Sequence, residues 1–316
     1  MDEDRSRKGN SRRHFLKTSG LISASLLSYG GFSILAAGSC DSGETNAASK
    51  SEKDMATDPV PFGIQLWTLR DDFPEKPVEI SKQLAGFGYR QIETFENEQG
   101  MFCGMQAAEM KALMDDVGLQ LVSAHCNVMD NFRHKVEQAA EAGVQYLVVP
   151  YLGPQNQLDD YRRYAALFNE KGRICRDAGI GFAYHNHEYS FMPHPGTDML
   201  PQTILMDETD PELVDFEMDI YWVVTAGQDP AGWMRNYPGR FKLGHVKDRA
   251  SVDPEVMRAS TTLGKGVINY EQLLPVAREN GMQKFFVEQE EYEGSTPLAA
   301  ARDGAAYMTS MPGFRK

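Results

Sequence analysis

The sequence predicts an α/β fold, a single closed (β/α)8 TIM barrel, and three observations carry that prediction. From Pro61 onward, short apolar runs alternate with longer amphipathic segments, the pattern of β/α units around a parallel sheet. Eight such runs follow one another, the number at which a parallel sheet closes and leaves no edge strand. Several of the amphipathic segments stop at a glycine, the usual end of a helix that turns back towards the next strand. The rival is an open doubly wound sheet. It needs a glycine-rich phosphate loop after its first strand, and Gln65-Leu-Trp-Thr-Leu-Arg70 stands there instead.

Taken in order, the first strand is Phe62 to Trp67 and the first helix Pro77 to Phe87, closed by Gly88. The second strand, Arg90 to Phe95, carries Glu93, and the helix from Gln106 to Val117 stops at Gly118. Leu119 to His125 is the third strand, Phe132 to Ala142 the third helix and Gln145 to Tyr151 the fourth strand. A long helix, Leu158 to Ala178, ends at Gly179 and leads into the fifth strand, the stretch from Gly181 to Phe191. The sixth, seventh and eighth strands are Leu213 to Ile220, Phe241 to Val246 and Lys284 to Gln289.

The 316 residues suffice for one such barrel of about 250 residues plus a leader. Residues 1 to 60 hold eight Lys or Arg and eight Asp or Glu, so the net charge of −13 belongs to the body. An acidic body argues against a nucleic-acid surface, which needs a basic footprint. Ser11-Arg-Arg-His-Phe-Leu-Lys17, followed by the apolar run from Leu21 to Gly38, looks like a twin-arginine export signal over residues 1–40. It directs the chain to the periplasm. Leu35-Ala-Ala-Gly-Ser-Cys40 resembles a lipoprotein cleavage site. Either Cys40 is acylated and gives the only membrane contact, or ordinary signal-peptidase cleavage removes it. Residues 41–60 read as a flexible tether and 61–316 as the barrel. Cys103, Cys126 and Cys175 then remain, an odd number that gives no disulfide framework.

In a strand, alternate side chains share a face, so His185 and His187 point one way and Tyr184 and Asn186 the other. The pair is either a start on a metal site or two hydrogen-bonded core histidines. Three later strands each deliver a further ligand type, in the order Asp219, His245, Glu288. On the sixth strand Asp215, Glu217 and Asp219 share a face. Asp219, nearest the mouth, is the ligand candidate, whereas Asp215 and Glu217 are expected to pair with Arg or Lys. His245 and Lys247 share a face, and Glu290 to Glu293 read as an acidic loop. Because barrel chemistry sits at strand C-terminal ends, Gln65, Glu93, His125, His185 with His187, Asp219, His245 and Glu288 form one ring.

From Phe62 to Tyr307 the chain resembles the sugar phosphate isomerase/epimerase family of xylose-isomerase-like TIM barrels. The motifs that carry the resemblance are Gly63-Ile-Gln-Leu-Trp-Thr-Leu-Arg70, Gly88-Tyr-Arg-Gln-Ile-Glu93, Phe168-Asn-Glu-Lys-Gly172, Tyr184-His-Asn-His187, Glu217-Met-Asp-Ile-Tyr-Trp222, His245-Val-Lys-Asp248, Leu263-Gly-Lys-Gly266 and Phe286-Val-Glu-Gln-Glu290. The resemblance implies one divalent ion held by carboxylate, Asp, His and Glu on strands five to eight. Asp219, His245 and Glu288 match the last three, and His185 stands where the epimerases place a Glu. Either His185 or His187 is then the strand-five ligand. Mn, Co, Zn and Mg all suit such a set.

A divalent ion chelating the carbonyl and hydroxyl of a sugar acidifies the C–H beside the carbonyl and steadies an enediolate. The base is His125, His187 or Glu93, and Lys247 would steady the oxyanion. Gln65, Trp67 and Arg70 would position the sugar, with Trp67 or Trp222 stacking on it. The expected activity is that of a metal-dependent isomerase, epimerase or lyase on a keto-sugar or 3-keto-glycoside. A sugar-binding lipoprotein without catalysis and a zinc endonuclease of the same barrel type are the rivals. Oligomeric state cannot be read from the sequence.

The export signal predicts a phenotype. Changing Arg12 and Arg13 together to Lys should leave the precursor in the cytoplasm, measured by cell fractionation, and normal export of the double variant would refute the assignment.

Overall fold

The structure, a computed structural model, describes residues 59–253 and 256–315. The twin-arginine segment with Arg12 and Arg13, the apolar run after it, Cys40 and nearly all of the 41–60 tether lie outside the described residues. The apolar runs become eight parallel strands: β1 (Gly63–Gln65), β2 (Gln91–Phe95), β3 (Gln120–His125), β4 (Tyr146–Val149), β5 (Gly181–His185), β6 (Asp215–Asp219), β7 (Phe241–Val246) and β8 (Lys284–Val287). Each pairs with its neighbour in sequence. β8 then meets β1, with Phe286 opposite Gly63 and Val287 opposite Ile64, so the sheet is closed rather than doubly wound.

The connecting helices are α1 (Pro77–Phe87), α2 (Ala107–Val117), α3 (Phe132–Ala142), α4 (Leu158–Asp177), α5 (Pro201–Glu208), α6 (Ile220–Thr225), α7 (Pro230–Asn236), α8 (Tyr270–Glu279) and α9 (Pro297–Ser310). α1, α3 and β7 have the bounds that the sequence predicts, and most other boundaries move by one or two residues. On α4, Tyr161, Ala165, Phe168, Gly172 and Cys175 form the buried stripe of an amphipathic helix. Gly172 is required by close approach, since a Cβ there would lie 2.3 Å from the Leu213 carbonyl oxygen.

Inside the barrel Val122, Val148, Ala183, Leu243 and Phe286 form an apolar plug, one pleat before His185 and His245. The cluster of polar side chains around His185 and His245 therefore lies above the plug, towards the strand C-terminal ends. At the opposite rim Val60–Pro61 pairs with Phe314–Arg315, so Val60, counted with the tether in the sequence reading, is part of the fold. Cys103, Cys126 and Cys175 are free and buried. Among the described residues no helix is long and apolar enough to cross a membrane.

Five strands end earlier than the sequence suggests, and the ends of two of them, β5 and β6, have a chemical cause. β5 stops at His185 because Asn186 turns across to β6, donating to the Asp219 carbonyl at 3.2 Å and accepting from the Asp219 N–H at 3.1 Å. His187 thus leaves the sheet and precedes a single 3-10 turn, Glu188–Phe191. β6 stops at Asp219 because that side chain caps α6, its Oδ1 accepting from the Trp222 N–H at 3.1 Å. Ile220, expected in the strand, opens the helix.

At the start of β6, Asp215 takes a hydrogen bond of 3.2 Å from the Tyr146 hydroxyl, while Lys242 and Arg240 act on it through their charge. Burial outweighs these and pushes its carboxyl up to about 6. A folded pKa above the unfolded one favours the folded state only while the group is protonated. The resulting penalty is absent below about pH 4, grows between about 4 and 6 and is complete above. Asp215→Asn should therefore raise the melting temperature at pH 8 and lose that advantage by pH 4. Thermal melts at both pH values check it.

Candidate metal centre

The strand ends bring two layers of ligand-type side chains together, with His245 common to both. Glu93 and Glu217 enter the inner layer where the β2–β3 and β6–β7 registers slip by one residue, irregularities that aim a side chain off the regular pleat. Glu93 Oε1 accepts from Gln65 Nε2 at 2.7 Å and lies 2.6 Å from His245 Nε2, and its Oε2 accepts from Ser123 Oγ at 2.5 Å. Glu217 Oε2 lies 2.7 Å from His125 Nε2. Burial alone would raise Glu93, but His125 and His245 overcome it and hold the carboxyl at about 2, whereas burial and the Glu93 charge drive Glu217 well above the carboxylate range. The two adjacent acids are thus pushed in opposite directions, Glu93 down and Glu217 up.

The outer layer consists of His185, Asp219, His245 and Glu288. His185 donates through Nδ1 to the Pro150 carbonyl at 3.0 Å, which leaves Nε2 as a bare acceptor 3.5 Å from Asp219 Oδ2. Asp219 spends Oδ1 on its cap, so Oδ2 is the free oxygen. His245 Nδ1 lies 3.8 Å from Asp219 Oδ2 and 3.3 Å from Glu288 Oε2. His185 Nε2, Asp219 Oδ2 and His245 Nδ1 are all buried without a hydrogen-bond partner. Buried polar atoms are ordinarily satisfied, so acceptor atoms gathered at one point call for a cation between them. The charges agree. Burial opposes a second proton on His245, yet Glu217, Glu288 and Glu93 raise it well above the usual imidazole value, the same pull on positive charge that a cation would answer in the proton's place, while Lys247 and His185 hold Asp219 ionised against burial.

A cavity of about 1060 Å³ opens above this layer, and His125, His185, His187, His245 and Glu288 reach it. Trp67, Arg70, Tyr151 and Trp222 stand around it. The His187 ring lies against Tyr151, Tyr189 and Trp222, with centroids 4.9, 6.1 and 5.3 Å away. His187 Nδ1 and Trp222 Nε1 are buried and unpartnered. Arg70 lies over the Trp67 ring at 5.2 Å and donates to the carbonyls of Trp67 and Glu290.

Gln65 and Glu93, read from sequence as a sugar contact and a base, are fully buried beneath the cavity and are not among its lining residues. Lys247 is buried as well, its ammonium paired with Glu288 at 3.3 Å and with Glu290, over the rings of Tyr221 and Trp222. The sequence reading of Glu217 needs correction, since its partner is His125 rather than Arg or Lys. Glu290 is likewise a member of the site and not a solvated loop residue. Sequence reasoning passed over Ser123, Tyr151 and Tyr189. For Ser123 alone there was a signal, its place two residues before His125 on the same face.

Comparison with known proteins fits this geometry. A family model described as xylose isomerase-like TIM barrel matches residues 82–311. An inosose dehydratase of Clostridium beijerinckii is 26% identical over 171 residues, 49% of this chain and 56% of that protein. One from Bacillus anthracis is 25% identical over 151 residues, 43% of this chain and 48% of that protein. The chain thus spans about half the length of the curated relatives it matches. A solved sugar phosphate isomerase/epimerase from Parabacteroides distasonis superposes with a TM-score of 0.71 at 30% identity, covering 86% of this chain and all of that one. The IolI protein with a bound zinc atom shares the fold, with a TM-score of 0.65 at 13% identity over 79% of this chain and 97% of that one.

Beside the centre, after β7, Asp248 fills a cradle of backbone amides. Its carboxylate accepts from the N–H groups of Arg249, Gly264, Gly266 and Ile268 at 2.9 to 3.2 Å. These bonds join the His245-Val-Lys-Asp248 and Leu263-Gly-Lys-Gly266 motifs. Asp248→Ala leaves several amides without an acceptor, at about 1–3 kcal/mol for each that stays buried. The variant should melt well below the wild type and be cleaved by trypsin at Lys265. Calorimetry and limited proteolysis check it.

Proposed function

We propose a function from two premises: the chain belongs to the xylose isomerase-like TIM barrel family, and its barrel mouth gathers unsatisfied acceptor atoms at a single point. The reading is a divalent-metal-dependent enzyme that removes a proton beside the carbonyl of a keto-sugar or 3-keto-glycoside. Returning the proton elsewhere makes it an isomerase or epimerase. Expelling a β-leaving group makes it a lyase, the outcome closest to the dehydratase names of the curated relatives. We place the enzyme in the periplasm, where an unphosphorylated substrate is the natural choice.

The observation that carries this reading is the convergence of His185 Nε2, Asp219 Oδ2 and His245 Nδ1, with Glu288 Oε2 beside them. These four residues would hold the metal, with His185 as the strand-five ligand. The zinc in the IolI protein gives the fold a precedent for a metal. Bound there, a divalent ion supplies Lewis acidity to the carbonyl and adjacent hydroxyl oxygens of the sugar.

His187 is the base. Its half-buried ring lines the cavity, and burial together with the neighbouring His185 keeps it neutral, the form that accepts a proton. Tyr151 and Tyr189 fix the plane of that ring. Trp222 lines the cavity and offers its ring to the carbons of the sugar. Lys247 acts from below, its positive charge balancing Glu288, Glu290 and Asp219.

Metal analysis of protein purified without chelator should find about one divalent ion per chain. Asp219→Asn should lose that ion and nearly all turnover while remaining folded. His187→Ala should keep the ion and lose turnover by about a hundredfold or more, the usual scale for a general base. Turnover is read as deuterium exchange into keto-sugars by NMR. A wild-type chain with no stoichiometric metal, and no gain on adding one, overturns the reading. Sugar binding without any exchange points instead to a binding protein.

A further inference from the structure

We propose that Glu93 is a positioning residue for the metal centre: it keeps the Nε2 proton of His245 turned into the barrel, so that Nδ1 is the nitrogen presented to the ion. The inference rests on the metal reading above and adds to it the atom by which His245 binds. His245 has two faces with opposite demands. Nε2 lies 2.6 Å from Glu93 Oε1, and Nδ1 faces Glu288 Oε2 at 3.3 Å and Asp219 Oδ2 at 3.8 Å. With a single ring proton on Nδ1, the Nε2 lone pair would press on a carboxylate oxygen at 2.6 Å, and the proton would fill the space between the other ligands. With the proton on Nε2, Glu93 receives a donor, and the bare Nδ1 that faces Glu288 and Asp219 is left to be answered by the ion.

Glu93 can enforce this because it cannot turn away. Gln65 Nε2 donates to Oε1 at 2.7 Å and Ser123 Oγ to Oε2 at 2.5 Å, so both oxygens are fixed by donors. The carboxylate is fully buried, which leaves no water to take over its role. On the other side of the centre His185 is treated in the same way by a different group, its Nδ1 proton held by the Pro150 carbonyl at 3.0 Å. An outer carboxylate that orients a ligating imidazole is a general feature of metal sites and commonly governs about 10- to 100-fold of metal affinity.

The test uses the Zn²⁺-loaded, full-length protein labelled with ¹⁵N-histidine. Long-range ¹H–¹⁵N spectra should show His245 with a protonated Nε2 and a metal-shifted Nδ1. Ligation through Nε2, with zinc taken up normally, overturns this inference and leaves the metal reading intact. Failure of the wild type to take up Zn²⁺ overturns both. Glu93→Gln keeps an acceptor oxygen but not the charge. It should retain the tautomer and bind Zn²⁺ about 10- to 100-fold more weakly in competition with a chelating dye, at a melting temperature close to that of the wild type. Glu93→Leu should lose the single tautomer as well. Zinc affinity within twofold of wild type in the Gln variant overturns the inference, and the wild-type spectrum decides the matter if the Leu variant does not fold.

Discussion

Four buried carboxyl groups, those of Glu93, Glu217, Asp219 and Glu288, each lie within 3.8 Å of a ring nitrogen of His245 at the top of a closed barrel. An ionised carboxylate in such a place is costly unless a cation or a set of donors answers it. The chain supplies several answers. Lys247 serves Glu288 and Asp219, Gln65 and Ser123 serve Glu93, and burial beside Glu93 pushes Glu217 towards its neutral form. What remains unanswered is the set of acceptor atoms on His185, Asp219 and His245, and this residual demand for positive charge is the chemical content of the site.

The fold delivers that arrangement through small departures from regularity. Slips in register at Glu93 and Glu217 bring two acids into one layer, the Asn186 bridge ends β5 just after His185, and the cap on α6 divides the two oxygens of Asp219 between structure and site. Each device acts within a residue or two of the group that it aims. The plug of Val122, Val148, Ala183, Leu243 and Phe286 closes the inner layer from below, and its apolar surroundings strengthen the electrostatic interactions above it.

The strands and the ring of polar residues at their ends were legible in the sequence, because apolar periodicity and strand-end position are local properties. His185, Asp219, His245 and Glu288 could be set side by side on that basis alone. Partner choice was not legible. Glu93 meets His245 across 152 positions and His125 meets Glu217 across 92, and no local pattern shows which carboxylate faces which imidazole. Alternation placed Glu217 on the inward face correctly, but inward acids were assigned to Arg and Lys, whereas the barrel uses histidine. The fate of Gln65 and Glu93 was hidden for a related reason. Strand-end position fixes a side chain's height only to within a pleat, and one pleat separates a group in the cavity from one beneath it.

The cradle around Asp248 bears on the kind of substrate the mouth can take. In barrels of this architecture the loops after the seventh and eighth strands frequently form a phosphate site from backbone amides. Here the amides of Gly264, Gly266 and Ile268 are turned onto the chain's own carboxylate, and a Cβ on Gly266 would strike Asp248 Oδ1, so the cradle is filled as tightly as the backbone allows. A phosphate arriving there would have to displace a covalently tethered anion that already satisfies the same donors. The cavity is lined by the rings of His187, Trp222, Trp67 and Tyr151 and by the guanidinium groups of Arg70 and Arg258, none of which belongs to the cradle. An amide cradle on this side of the mouth therefore braces the loop beside His245 and Lys247, its donors already answered by the chain's own anion.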